Sequence, residues 1–243
     1  MREYVLYKFK RINKYLFEAL VNGEFYFAPP GLLNDPFDCQ VDIAKALDVA
    51  VSQAQGAARV HLEGLRAHAK AFRGLQRKLE GVGVCSFSSQ SNNTLMWSHY
   101  ADSHAGVCLK YVIPETYFAA NAAEILGIGP VVYGSRPLVD WFAGRGAALE
   151  GFDARFEQEL VIRVWTIKDR PWKYEREWRM VRRQVGPHPV DKGFLRQICF
   201  GLKTTEADIR LVRTLALDCG YKVGFRRMVR HEKSDFALAA VPL

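Results

Sequence analysis

Short runs of aromatic and β-branched residues recur along the whole chain, but the helical tracts between them differ widely in length, and that irregular rhythm limits the fold most. Residues 5–9, 24–28, 83–88, 106–111, 131–133, 178–182 and 197–200 read as strands, and so do 221–229 and 236–241. A doubly wound sheet needs a helix of similar length after each strand. This chain lacks that regularity, so the expected fold class is α+β, with mixed or antiparallel sheets and helical insertions. The largest insertion is expected at about 41–80, which is rich in Ala, Lys and Arg, lacks Pro, and breaks near Gly56. Ile12, Leu16 and Leu20 mark a helix over 12–21 that Asn22-Gly23 closes, Gly taking the left-handed position without a Cβ penalty. Pro114-Glu115 opens a helix expected to reach Ile125, and residues 137–159 read as mostly helical, with Phe152, Phe156 and Leu160 on one face. Thr204-Thr205-Glu206 carries the capping chemistry for a helix ending at Cys219-Gly220. With no repeat, low-complexity tract or long linker, residues 1–243 read as one domain.

Several function classes drop out on composition. No apolar run reaches the ~18 residues of a membrane helix, and no apolar core follows the charged start, so neither a membrane partner nor a secretory signal is expected. The five cysteines have no paired spacing, and four lie in apolar runs, which suits buried thiols in a reducing, cytoplasmic setting. The formal net charge is +8, with late basic clusters at Arg176, Arg179, Arg182, Arg183 and at Arg226, Arg227, Arg230, Lys233. A positive excess of this kind attracts nucleic acid, phosphate-bearing cofactors or acidic partners.

Four segments carry the candidate chemistry. Tyr174 to Met180, if extended, places Glu175, Glu177 and Arg179 on one face and Tyr174, Arg176, Trp178 and Met180 on the other. Two carboxylates so placed raise one another's pKa unless a cation offsets them, and they can divide the labour of glycosyl transfer. In Met96-Trp97-Ser98-His99-Tyr100, Trp97 and Tyr100 share a helical face and could wall an aromatic pocket. His99, Asp102 and His104 lack the spacing of a metal site, so a hydrogen-bonding role is expected and no metal. Asn34-Asp35-Pro36-Phe37-Asp38 reads first as an Asx turn anchored by Phe37, with Asn34 and Asp35 as substrate contacts if a site lies there. Lys8 in Leu6-Tyr7-Lys8-Phe9 faces away from its aromatic neighbours, towards solvent or towards a phosphate in a cleft. Ser86 and Ser88 share one face of their strand.

On these four segments, in this order, the chain resembles the bacterial domain-of-unknown-function 2971 family. The order of the pieces is also similar to the ADP-ribosyltransferase fold, with Tyr7-Lys8 on a first strand, Asn22-Gly23 turning into a second, Ser86-Phe87-Ser88 on a middle strand and Glu175 or Glu177 late. That resemblance implies an ADP-ribosyltransferase-like core using NAD. Glu177 would hold the nicotinamide ribose and Glu175 would orient the acceptor. Tyr7, Lys8, Ser86, Ser88, His99, and Trp97 or Tyr100 would contact NAD, while Asn34, Asp35, His104 and Arg179 would face the substrate. It implies a toxin or antiviral effector that modifies nucleic acid or protein and answers to an antidote or regulatory protein. Two other readings account for the same charges. One is a nuclease holding Mg²⁺ with Asp35, Asp38, Glu175 and Glu177, and with Lys8 or Arg179 on the phosphate. The other is a non-catalytic module that grips nucleic acid with aromatic and basic side chains.

Overall fold

The computed structural model describes residues 2–68, 70–72, 74–75, 81–145, 153–234 and 236–243. The end of the tract expected at 41–80 and Phe152 lie outside the described residues. In chain order the strands are β1 (Glu3–Lys10), β2 (Glu24–Phe27), β3 (Gly83–Ser88), β4 (Val107–Pro114), β5 (Ile125–Pro130) and β6 (Val132–Tyr133). They continue with β7 (Ile167–Lys168), β8 (Glu177–Arg182), β9 (Gly186–Pro189), β10 (Leu195–Phe200), β11 (Gly224–Arg230) and β12 (Leu238–Pro242). The α-helices are α1 (Lys14–Asn22), α2 (Ile43–Gln53), α3 (Gly56–Arg66) and α4 (Thr94–Tyr100). After them come α5 (Glu115–Ala120), α6 (Pro137–Arg145), α7 (Ala154–Trp165) and α8 (Glu206–Asp218).

Among the described residues the architecture is mixed α and β around one large sheet, ordered β12-β11-β10-β4-β1-β3-β8-β5. Its neighbours are antiparallel except β10 and β11, which are parallel and connected through α8. Two short pairs, β2 with β9 and β6 with β7, lie apart from it.

Each face of the sheet is covered by different helices, and strand alternation explains the division. Leu6, Cys85, Leu109, Met180 and Ile198 pack with Leu16 and Leu20 of α1 and with Ile209, Val212 and Ala216 of α8. Val84 and Val181, one position along from Cys85 and Met180, join the opposite cluster with Ile43 and Leu47 of α2, Leu62 of α3, Phe142 of α6 and Leu160 of α7. Burying each such side chain contributes about 1.5–3 kcal/mol. Local signals agree with this packing. The Asn13 side chain accepts from the Tyr15 and Leu16 N–H groups to start α1, Gly23 ends it at φ 63°, and Thr205 caps α8.

Three strands escape the sequence pattern. The helix expected to reach Ile125 stops at Ala120, where the Asn121 side chain donates to the Tyr117 carbonyl and the chain turns into β5. β5 reads poorly because Gly127 and Gly129, with no side chains to pack, interrupt it, although Ile162 and Thr166 of the α7 region lie beside that stretch of the strand. β9 contains two prolines and pairs with β2 alone, and β7 spans only two residues.

After α4 the chain turns through three successive left-handed residues, Asp102, Ser103 and His104 (φ 50°, 51° and 75°). This turn packs against Gly201, where an added Cβ would collide with the His104 carbonyl. Gly201→Ala is therefore expected to cost about 1–3 kcal/mol by overpacking, read as a lower urea midpoint. An unchanged midpoint would contradict this packing.

Candidate functional site

The cleft arises from a split in the sheet. β1 pairs with β4 along its whole length and β3 pairs with β8 along its whole length, but β1 and β3 meet only at Tyr7 and Ser88. Beyond that point the two strands diverge, and residues of both sheet faces line the gap. The Lys8 ammonium spans the fork, donating to the Ser86 carbonyl at 2.8 Å and lying 4.9 Å from the Phe87 ring centroid. The cleft has a volume of about 290 Å³, at the lower end of ligand pockets (~300–1,000 Å³). That accommodates one heterocycle with its sugar, leaving the remainder of a larger ligand at the mouth.

The floor is a buried charge cluster in which three carboxylates meet two cations. Arg179 from β8 is fully buried. Its Nε and Nη2 donate to Glu177 at 2.8 and 2.9 Å, and its Nη1 and Nη2 donate to Asp38 at 2.8 and 2.5 Å. A third acceptor is the Trp165 carbonyl at 3.0 Å. The Lys168 ammonium from β7 lies 2.6 Å from Glu175, 3.2 Å from Glu177 and 3.5 Å from Asp38. The other Glu175 oxygen accepts from the Tyr100 hydroxyl at 2.5 Å, and the Glu177 N–H donates to the Tyr133 hydroxyl at 2.8 Å.

Glu175 reaches this cluster by a route the alternation argument did not foresee. It ends a 3-10 turn, Arg170–Glu175, and is not on the strand. Arg176 then adopts a left-handed conformation (φ 48°), and β8 begins at Glu177. Glu175 and Glu177 converge because that bend turns them to one side. The bend is held in place by the Ser88 hydroxyl donating to the Glu175 carbonyl (2.7 Å) and the Asn93 side chain donating to the Tyr174 carbonyl (2.6 Å).

The two glutamates titrate in opposite directions. Burial pushes the Glu177 carboxyl up, but Arg179 and Lys168 outweigh burial and hold it at about 2. For Glu175 burial prevails over the Lys168 charge, with help from the nearby Glu177, and its pKa is raised. Two carboxyl groups driven apart in this way form the pattern from which acid–base pairs are drawn. Burial opposes the Lys168 ammonium, yet Glu177 and Glu175 keep its pKa above the ordinary value.

The cleft is lined by Tyr7, Lys8, Asn34, Asp38, Ser86, Ser88, Tyr100, Glu175, Glu177 and Arg179 of the residues singled out in the sequence. The others lie elsewhere. Trp97 is fully buried, edge-on to Phe9, with its indole N–H donating to the Ser91 carbonyl. His99 is exposed beside the Tyr100 and Tyr174 rings. His104 bonds Ser98 and stacks on Trp97. The Asp35 carboxylate accepts from the Phe37 N–H, the Asx turn that its sequence suggests. The late basic cluster is partly internal, since Arg179 is buried and Arg182 pairs with Glu124. Among the described residues no group of three or more His, Cys, Asp or Glu could hold a metal ion, and the cluster's carboxylates are turned towards Lys168 and Arg179.

Lys168, Tyr133 and Lys10 were not singled out in the sequence, and Asp38 was weighed only as a metal ligand. Lys168 left one signal, a lone cation ending the apolar run Val164-Trp165-Thr166-Ile167. Most of the cluster falls within one segment. Residues 96–180 match the model of DUF2971, described as a protein of unknown function. Over that segment the chain is similar to the DUF2971 family. The DUF2971 segment supplies Tyr100, Tyr133, Lys168, Glu175, Glu177 and Arg179, while Asp38 and the β1 lysines come from outside it. No curated protein matches the chain, and no solved structure matches it. Among the described residues no helix is long and apolar enough to cross a membrane.

Proposed function

We propose that the cleft is a ribosyl-transfer site of ADP-ribosyltransferase type, with NAD as the donor and a nucleic acid or protein group as the acceptor. The observation that carries this reading is the pair Glu175 and Glu177 at the cleft floor, one held ionised and the other with a raised pKa. When the bond between the nicotinamide nitrogen and the ribose anomeric carbon breaks, nicotinamide leaves neutral with the electron pair and positive charge develops on the sugar. A carboxylate fixed as an anion stabilises that charge in a site from which water is largely excluded, and Glu177 meets the requirement. The incoming O–H or N–H must lose its proton as the new bond forms. A carboxylate of raised pKa is the better acceptor for it, which suits Glu175 as general base. Lys168 and Tyr100 hold the two Glu175 oxygens and keep the base aligned.

The nuclease reading is less well supported, because among the described residues no group of three or more His, Cys, Asp or Glu is placed to share a metal ion. The test of NAD binding is a thermal shift on the full chain. At NAD about ten times its Kd, a rise of roughly 3–6 °C is expected, from about 1.4 kcal/mol of linkage in a chain of this size. No rise at millimolar NAD would contradict the reading.

A further inference from the structure

We propose that Lys10, together with Lys8, forms a subsite in the same cleft for the diphosphate of a nucleotide ligand. The alternation of β1 carries Tyr4 and Leu6 into the core and then delivers Lys8 and Lys10 to the fork on that same side. Lys8, Lys168 and Arg179 already have their acceptors within the protein. The Lys10 ammonium makes no hydrogen bond or ion pair among the described residues, although the side chain is half-buried and lines the cleft. Burial and the neighbouring Lys8 charge hold its pKa down at about 8, outweighing Cys85 and Glu24, which raise it. An unmatched cation beside a second one is costly, and an anion between them relieves both desolvation and repulsion. Two residues apart on one strand face, the lysines are separated by roughly 7 Å of backbone rise, short enough for one diphosphate to lie between them. The carboxylates sit at the floor and the lysines at the fork, so the cleft is polarised as a molecule with a reactive sugar at one end and phosphates at the other requires.

The identity of the ligand rests on the NAD reading, but the anion site does not. The full chain and its Lys10→Met and Lys10→Arg variants are titrated by calorimetry with inorganic pyrophosphate, NAD and nicotinamide riboside. Expected are binding of pyrophosphate and NAD by the parent chain, about tenfold weaker NAD binding by Lys10→Met, and near-parent binding by Lys10→Arg, the effect of one charge-assisted contact. Nicotinamide riboside, which has no phosphate, should bind both variants as it binds the parent. Parent-like binding of pyrophosphate and NAD by Lys10→Met overturns the subsite, and so does failure of the parent chain to bind either. Lys10-dependent pyrophosphate binding without any binding of nicotinamide riboside, and with NAD no tighter than pyrophosphate, leaves the subsite standing and removes the NAD reading.

Discussion

Arg179→Met is expected to remove about 3–5 kcal/mol of stability, because it leaves Asp38 and Glu177 buried without the guanidinium that pairs with both. The size of the loss comes from the carboxylates left behind and not from the hydrogen bonds alone. Desolvation of Asp38 and Glu177 is tolerated only while a cation lies between them, and Lys168 alone reaches neither as closely as Arg179 does. The pH dependence supplies an internal check. Glu177 has a folded pKa of about 2, below its ordinary 4.5, so its contribution is fully present above about 4.5 and is lost as pH falls towards 2. The parent chain should therefore lose stability through that window. The Arg179→Met variant, in which only Lys168 remains to depress Glu177 against its burial, should lose less there. Urea unfolding at pH 7 and at several acidic values measures both. A loss under about 1 kcal/mol at pH 7, the size of an exposed pair, would mean that the cluster does not carry the buried cost assigned to it.

Glu175→Gln is expected to affect turnover far more than stability. A raised pKa means that the fold disfavours the ionised carboxyl, so an amide in its place gives up little, and its oxygen can still accept from Lys168 or Tyr100. The amide cannot accept a proton from an incoming nucleophile. Removing a positioned general base typically costs ~10²–10⁴-fold in rate, and a loss of at least ~100-fold is expected here. Full activity in the variant would move the proton-accepting role away from Glu175.

The sequence made the fold legible where one local rule dominates. β1, β3, β4 and β10 follow from aromatic and β-branched runs, and α1 and α8 follow from their caps. It failed where two rules compete. β5 hides behind two glycines, whose poor strand propensity the neighbouring strand pairing overrides, and β9 behind prolines that an edge strand tolerates. The site divides in the same way. Glu175, Glu177 and Arg179 stand out because they lie close together in the chain, even though the expected continuous strand is in fact a 3-10 turn followed by a left-handed bend at Arg176. Asp38 and Arg179 are 141 residues apart in the chain, and no local pattern announces that they share a bidentate contact. Trp97 misled because two aromatics three apart on a helix serve a core as well as a pocket, and only Tyr100 of the pair reaches the cleft. Lys10 has no mark in the sequence, since its distinguishing feature is three-dimensional, a half-buried ammonium without a hydrogen bond or ion pair among the described residues.

If this cleft breaks the bond between nicotinamide and ribose, as proposed, the immediate product is free nicotinamide. The purified full chain is incubated with NAD and either water alone, an oligonucleotide mixture or a protein mixture as acceptor, and free nicotinamide is quantified beside the Glu175→Gln variant. Nicotinamide is expected to accumulate with the parent chain in at least one mixture and to fall at least ~100-fold with the variant. NAD left equally intact by both proteins under all three conditions would contradict the proposal.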